Sequence, residues 1–183
     1  MKQIKSLKTN TEEGERAIAE LLNRFEAADI GCRETVSEIL AAVRAQGDAA
    51  VLAYSRKFDA PDMNESDLQV STAEMLAAYE QVDQPFMAAL ATAIERIQTF
   101  HEREMEDSWM QTRENGTIVG RLVRPVDAAG LYVPGGQGGS TPLVSSVLMN
   151  GIPAGIAGVG RRVMVTPPNR QGGVSPYLLV AAQ

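Results

Sequence analysis

The residues with the clearest capacity for chemistry lie between Leu131 and Asn150. A short apolar strand, Gly130-Leu131-Tyr132-Val133, runs into Pro134-Gly135-Gly136-Gln137-Gly138-Gly139, and then into a helix that Thr141 can cap and Pro142 can open. Backbone N–H groups freed by glycines, together with a helix N-terminus, favour an anionic group, so a phosphate or a dinucleotide is the natural ligand. The spacing is partial: Gly136-x-Gly138 lacks the third glycine of G-x-G-x-x-G, and no Gly-Lys-Ser/Thr of a triphosphate loop is present. A glycine-rich turn that only joins strand to helix is the plain alternative. His101, the sole histidine, extends an apolar helix face and reads as a packed or capping residue with nothing nearby to orient it. Cys32 has no second cysteine and no histidine close in sequence, which argues against a metal site or a thiol nucleophile. Motif spacing therefore gives one ligand loop, no catalytic residue and no metal ligand.

The elements that must position this loop divide the chain by composition near Arg113, with Ala, Glu, Gln and Leu before it and Gly, Pro and Val after it. Thr11 caps a first amphipathic helix whose face is Ile18, Leu21, Leu22 and Phe25. Val36, Ile39, Leu40 and Val43 mark a second, stopped by Gly47 as a left-handed cap, and Asp48 starts a third through Val51, Leu52 and Phe58. Ser71-Thr72-Ala73-Glu74 has capping-box spacing, with Met75, Leu76, Tyr79 and Val82 behind it. Asp83 and Pro85 open what the pattern predicts to be the longest helix, with Leu90, Ile94, Ile97 and His101 on one face. The acidic stretch Glu102 to Asp107 reads as a solvated helix end, and Trp109, Tyr54, Tyr79 and Phe100 as core or interface aromatics.

Beyond these helices, Glu114-Asn115-Gly116 is a turn signal ahead of a hairpin arm at Thr117 to Val123. The strand, glycine loop and helix to Asn150 follow. A second copy of that order uses Arg162 to Thr166 as strand, Pro167 to Gly173 as loop and Ser175-Pro176 as the opening of a helix through Leu178, Leu179 and Val180. Two such units make a parallel half-sheet. Gly155, Gly158 and Gly160 read as packing and turn glycines. The chain stops inside the last predicted helix, so the sheet is unfinished and truncation is the expectation; a partner copy completing the sheet by exchange is the alternative.

Composition narrows the functional classes. The 183 residues are 44% apolar and 22% charged, a globular balance. Seventeen Lys and Arg against 23 Asp and Glu give a net charge of −6 and a pI near 4.9, which leaves no basic footprint for nucleic acid or an anionic membrane. Met1 to Asn10 has lysines without an apolar run behind them, so no secretory leader is expected and a reducing cytoplasm is the default.

Several blocks together resemble one family. Gly130-Leu131-Tyr132-Val133-Pro134-Gly135-Gly136, Ser145-Ser146-Val147-Leu148-Met149-Asn150, Ile152-Pro153-Ala154, Ala157-Gly158-Val159 and Thr166-Pro167-Pro168 are similar to histidinol dehydrogenases, and Gln46-Gly47-Asp48, Lys57-Phe58-Asp59, Ile97 and Phe100-His101 agree in order. The resemblance covers the chain from about residue 30 onward. It implies oxidation of L-histidinol to L-histidine in histidine biosynthesis, with NAD and zinc as cofactors and an intertwined homodimer as the assembly. It also implies that the zinc ligands and the acid–base pair lie in a later part of a chain more than twice this long. Carried over position by position, it makes Tyr132 and Pro134 dinucleotide contacts and Phe58 an adenine-side contact, although Phe58 also suits a helix-end core position. Gly138-Gly139-Ser140-Thr141-Pro142-Leu143 departs from the family's usual alanine and tyrosine before the proline.

The resulting expectation is an α/β chain: a helical N-terminal region over 1–113, a β-hairpin linker over 114–129, and over 130–183 the first half of a Rossmann-like NAD-binding domain with an incomplete parallel sheet. Its function is that of the N-terminal portion of histidinol dehydrogenase, inactive by itself. A non-catalytic dinucleotide-binding or assembly module that dimerises through the unfinished sheet is the alternative.

Overall fold

The computed structural model describes residues 6–23, 26–135 and 142–183, with the side chains of 26–30 excepted. Phe25, Thr141 and the Gly136–Ser140 part of the glycine loop lie outside the described residues. The chain forms two compact units, Met1–Val51 and Leu52–Gln183.

The first unit holds α1 (Glu12–Asn23) and α2 (Glu26–Gln46). Thr11 caps α1 as its sequence position predicts: Gly14 N–H donates to Thr11 Oγ1 at 3.2 Å, and Thr11 Oγ1 donates to the Lys8 carbonyl at 2.8 Å. Gly47, at φ +57°, ends α2 in the left-handed conformation expected of it, its N–H bonded to Val43 O at 2.8 Å. At 21 residues α2 exceeds the 19 of the helix opened by Asp83, contrary to the predicted ranking. The periodic apolar positions begin only at Val36, but the alanine-containing stretch before them is helix-compatible and extends the element upstream.

The remaining elements are α3 (Asp48–Phe58), α4 (Thr72–Ala78), α5 (Gln84–Glu102), β1 (Trp109–Thr112), β2 (Ile118–Arg121), β3 (Ala128–Tyr132), α6 (Val144–Ile156), β4 (Arg161–Val165) and α7 (Pro176–Ala181), with 3-10 turns at Glu65–Leu68 and Tyr79–Gln81. The predicted caps of α4 and α5 hold. Ser71 and Glu74 close a reciprocal capping box on α4, and Asp83 accepts from Phe86 N–H at 2.8 Å at the start of α5.

Among the described residues the strands form two two-stranded sheets, β1 antiparallel to β2 and β3 parallel to β4. The hairpin differs from expectation in its first arm. Trp109 to Thr112 pairs with Ile118 to Arg121, so the partner strand lies upstream of the turn in a segment predicted to be helical in character. Its four residues lack an apolar alternation, and only the turn, with Gly116 at φ +81°, is legible. Trp109 is exposed there, and Phe100 is exposed at the end of α5, so neither enters the core.

The core of the second unit is helix on helix over a small sheet. Ala78, Leu90, Leu148, Leu179 and Val180 are buried together, with Phe86, Ile94, Ile97 and Ile152 packed around them. Val133, Val147 and Leu178 form a second buried group with Met164 against it. The α5 face read from Leu90, Ile94 and Ile97 thus packs on α6 and α7. His101, one turn on, is partly exposed at the helix end. It is oriented after all: Glu104 Oε2 meets its Nδ1, and the Phe100 ring stands edge-on at 5.2 Å.

Helix α6 starts at Val144, after Pro142, and continues past Asn150 to Ile156 with Pro153 inside it. The proline forfeits one backbone donor without ending the helix. The stop comes at Gly158, φ +83°, where Val159 N–H reaches Ala154 O at 3.0 Å and Gly158 N–H reaches Gly155 O at 3.0 Å, a Schellman ending.

Candidate functional site

In parallel α/β sheets, ligands bind beyond the carboxyl ends of the strands, and here β3 and β4 end side by side. Strand alternation divides the exit of β3. Val133 is fully buried beneath α6 and α7, whereas Tyr132, one residue earlier, faces out with 62% of its surface exposed. Val133 N–H donates to Val165 O at 2.9 Å and closes the ladder at this end. Pro134 and Gly135 follow, both half-buried.

The two loops touch at once. A Cβ on Gly135 would lie 2.8 Å from Pro167 Cγ, so glycine is required for this approach. After Pro167 and Pro168, Asn169 folds the second loop around itself. Its Oδ1 accepts from Gln171 N–H at 2.9 Å and Gly173 N–H at 3.0 Å, its own N–H donates to Gly173 O at 2.8 Å, and Gly172 turns at φ +84°. Between the loops lies a cavity of about 10 Å³, about one water's worth, walled by Gly135, Pro142, Pro167, Asn169, Ser175 and Leu178. Its wall carries no ionisable side chain. A surface of this kind can hold a ligand by backbone groups, prolines and an exposed tyrosine ring.

Of the residues singled out in the sequence, Tyr132 and Pro134 share this strand exit. Phe58 stands in another cluster at the end of α3, 59% exposed, its ring parallel to Tyr54 at 6.0 Å between centroids and with Lys57 Nζ 5.1 Å from its centre. It is a surface aromatic and not the core residue that its helix-end position also allowed. Cys32 is a free, exposed thiol. Among the described residues no three His, Cys, Asp or Glu side chains converge on a point that could hold a metal ion.

Two contributors escaped sequence reasoning. Asn169 was legible in principle, as an Asn followed by Gly172-Gly173 in a predicted loop. Asn150, whose Nδ2 donates to the Tyr132 carbonyl at 3.3 Å, has no local signal, because the partners are 18 residues apart.

Comparison with known proteins agrees along the chain. A family model described as histidinol dehydrogenase matches residues 11–183. The histidinol dehydrogenase of Desulfotalea psychrophila is 70% identical over 170 residues, covering 93% of this chain and 39% of that protein. That of Oleidesulfovibrio alaskensis is 41% identical over 178 residues, covering 97% of this chain and 41% of that protein. A crystal structure of histidinol dehydrogenase from Elizabethkingia anophelis superposes with a TM-score of 0.73 at 32% identity, over 82% of this chain and 34% of that one. The chain thus spans about two fifths of the length of the curated relatives it matches.

Proposed function

The chain belongs to the histidinol dehydrogenase family, and from that premise we propose that it is the N-terminal portion of an enzyme that oxidises L-histidinol to L-histidine with NAD and zinc. The observation that carries the NAD assignment is the exit of β3. An exposed Tyr132, Pro134 and a Gly135 that admits no side chain stand where a parallel sheet receives a dinucleotide. In this reading Tyr132 and Pro134 contact the dinucleotide and Phe58 offers its exposed ring to the adenine side, whose flat face suits stacking. When bound, NAD⁺ supplies a hydride acceptor; the residues described here bind and orient it.

Zinc does not fit these residues, since no ligand set converges among them, and its ligands are assigned to the part of the relatives' length that this chain does not span. The acid–base groups are assigned there too, so the 183-residue chain alone is inactive. A homodimer in the cytoplasm completes the proposal. No helix among the described residues is long and apolar enough to cross a membrane.

The test is NADH formation from L-histidinol, NAD⁺ and Zn²⁺, followed at 340 nm. Residues 1–183 alone should give none, and the product of the intact reading frame should give a steady rate. Turnover by the 183-residue chain would overturn the assignment of catalysis elsewhere.

A second reading, a non-catalytic dinucleotide-binding or assembly module, draws on the β3–β4 sheet having only two strands among the described residues, which a second copy could extend. Loss of self-association when an edge of that sheet is blocked by a proline, in a protein without dehydrogenase activity, would favour it.

A further inference from the structure

Val133 N–H bonds to Val165 O, so the backbone groups of residues 131 and 133 face β4, and by alternation those of Tyr132 face the edge of β3 away from β4. That edge carbonyl is taken by a side chain: Asn150, in the second turn of α6, donates its Nδ2 to Tyr132 O at 3.3 Å. An amide in this place satisfies an acceptor that another strand would otherwise claim, and it ends pairing on this edge where the chain leaves the strand. It also ties the peptide on which the exposed Tyr132 ring hangs to the helix that packs on β3.

From this arrangement we infer that Asn150 is a positioning residue: it holds the Tyr132–Val133 peptide so that the Tyr132 ring stands ready for its ligand, and it acts only through Tyr132. The inference rests on the reading of Tyr132 as a dinucleotide contact. Asn150→Asp keeps the shape and replaces the donating NH₂ with an oxygen that repels the carbonyl; Asn150→Ala removes the group altogether.

The test uses the protein made from its own intact reading frame, titrated with NAD⁺ by calorimetry, with the Tyr132 ring resonances followed by NMR after assignment through Tyr132→Phe. Both Asn150 variants should weaken NAD⁺ binding by about threefold to tenfold, the loss expected when one neutral hydrogen bond goes. Both should shift the Tyr132 resonances while those of Tyr54, Tyr79 and Tyr177 stay in place, a signature that general loosening of the fold would not give. Tyr132→Ala, measured beside them, separates the two claims. If it weakens NAD⁺ binding while the Asn150 variants leave either the affinity or the Tyr132 resonances unchanged, the role of Asn150 is overturned and the dinucleotide reading stands. If Tyr132→Ala leaves the affinity unchanged, or the unsubstituted protein binds no NAD⁺, the dinucleotide reading falls and the inference falls with it.

Discussion

Gly135 and Pro167 meet where the loops after β3 and β4 leave the sheet, and the gap between them is too small for a methyl group: a Cβ on Gly135 would stand 2.8 Å from Pro167 Cγ. The contact makes the two loops a single wall, with each strand exit setting the position of the other.

Gly135→Ala should therefore destabilise the protein by about 1–3 kcal/mol, the range for inserting a methyl group into packed surroundings. Pro167→Ala in the same chain should return most of that loss, because it removes the ring atom that the new Cβ meets. Urea unfolding of the two single variants and the double variant measures this directly. Independent, additive losses would show that the two loops do not constrain each other.

The capping box on α4 should make stability depend on pH. The Ser71 hydroxyl donates to Glu74 Oε2 at 2.7 Å and the Ser71 N–H to the same oxygen at 2.8 Å, and these bonds hold the Glu74 carboxyl below the usual carboxylate range. A carboxyl lowered by folding stabilises the protein above its unfolded pKa, and that contribution is lost as pH falls through the folded value. Glu74→Gln should thus be less stable than the parent at neutral pH, and the difference should shrink in acid. Ser71→Ala should cost about 1 kcal/mol at neutral pH. A Glu74→Gln deficit that does not change with pH would rule out the charged carboxylate as its source.

What was legible in the sequence was local. Thr11, Gly47, Ser71 with Glu74, and Asp83 each act within four residues of themselves, and each stands where its spacing put it. Two βα units in succession were equally plain, since strand, loop and helix follow one another without a gap. The errors fell where a distant partner decides. Trp109 to Thr112 is a strand because Ile118 to Arg121 lies beside it, not because of its own pattern. The helix expected to reach Asn150 runs on to Ile156 through Pro153, where α6 packs against α5 and β3. At the candidate site Tyr132 and Pro134 were named through the family resemblance alone, while the Asn150 bond to Tyr132 and the approach of Pro167 to Gly135 join residues 18 and 32 positions apart and left no trace in local sequence.

Tyr132→Ala, in the enzyme made from the intact reading frame, should raise the KM for NAD⁺ more than that for L-histidinol. The exposed ring lies at the proposed dinucleotide site and is given no contact with the reacting alcohol, so its loss should act on one substrate. Initial rates with each substrate varied in turn measure the two values. An unchanged KM for NAD⁺ would remove Tyr132 from the site.

Phe86 and Tyr177 decide whether the helical part and the second βα unit fold as one. Phe86, at the start of α5, meets Tyr177 of α7 edge to face, with 4.7 Å between ring centres and an 87° interplanar angle. The sequence set a boundary between these elements at residues 114–129, but α5, α6 and α7 share one buried cluster. A double-mutant cycle with Phe86→Leu and Tyr177→Leu should give a coupling of about 0.5–1.5 kcal/mol, the range for such an aromatic pair. The unfolding should also remain one transition in both single variants, since each ring belongs to a core that both segments build. A coupling near zero, or a second transition released within the second unit by either change, would mean that residues 52–113 and 130–183 carry separate cores. The strand exits would then depend on α6 and α7 alone for their support, and Leu90→Ala in α5 would leave the NAD⁺ affinity untouched.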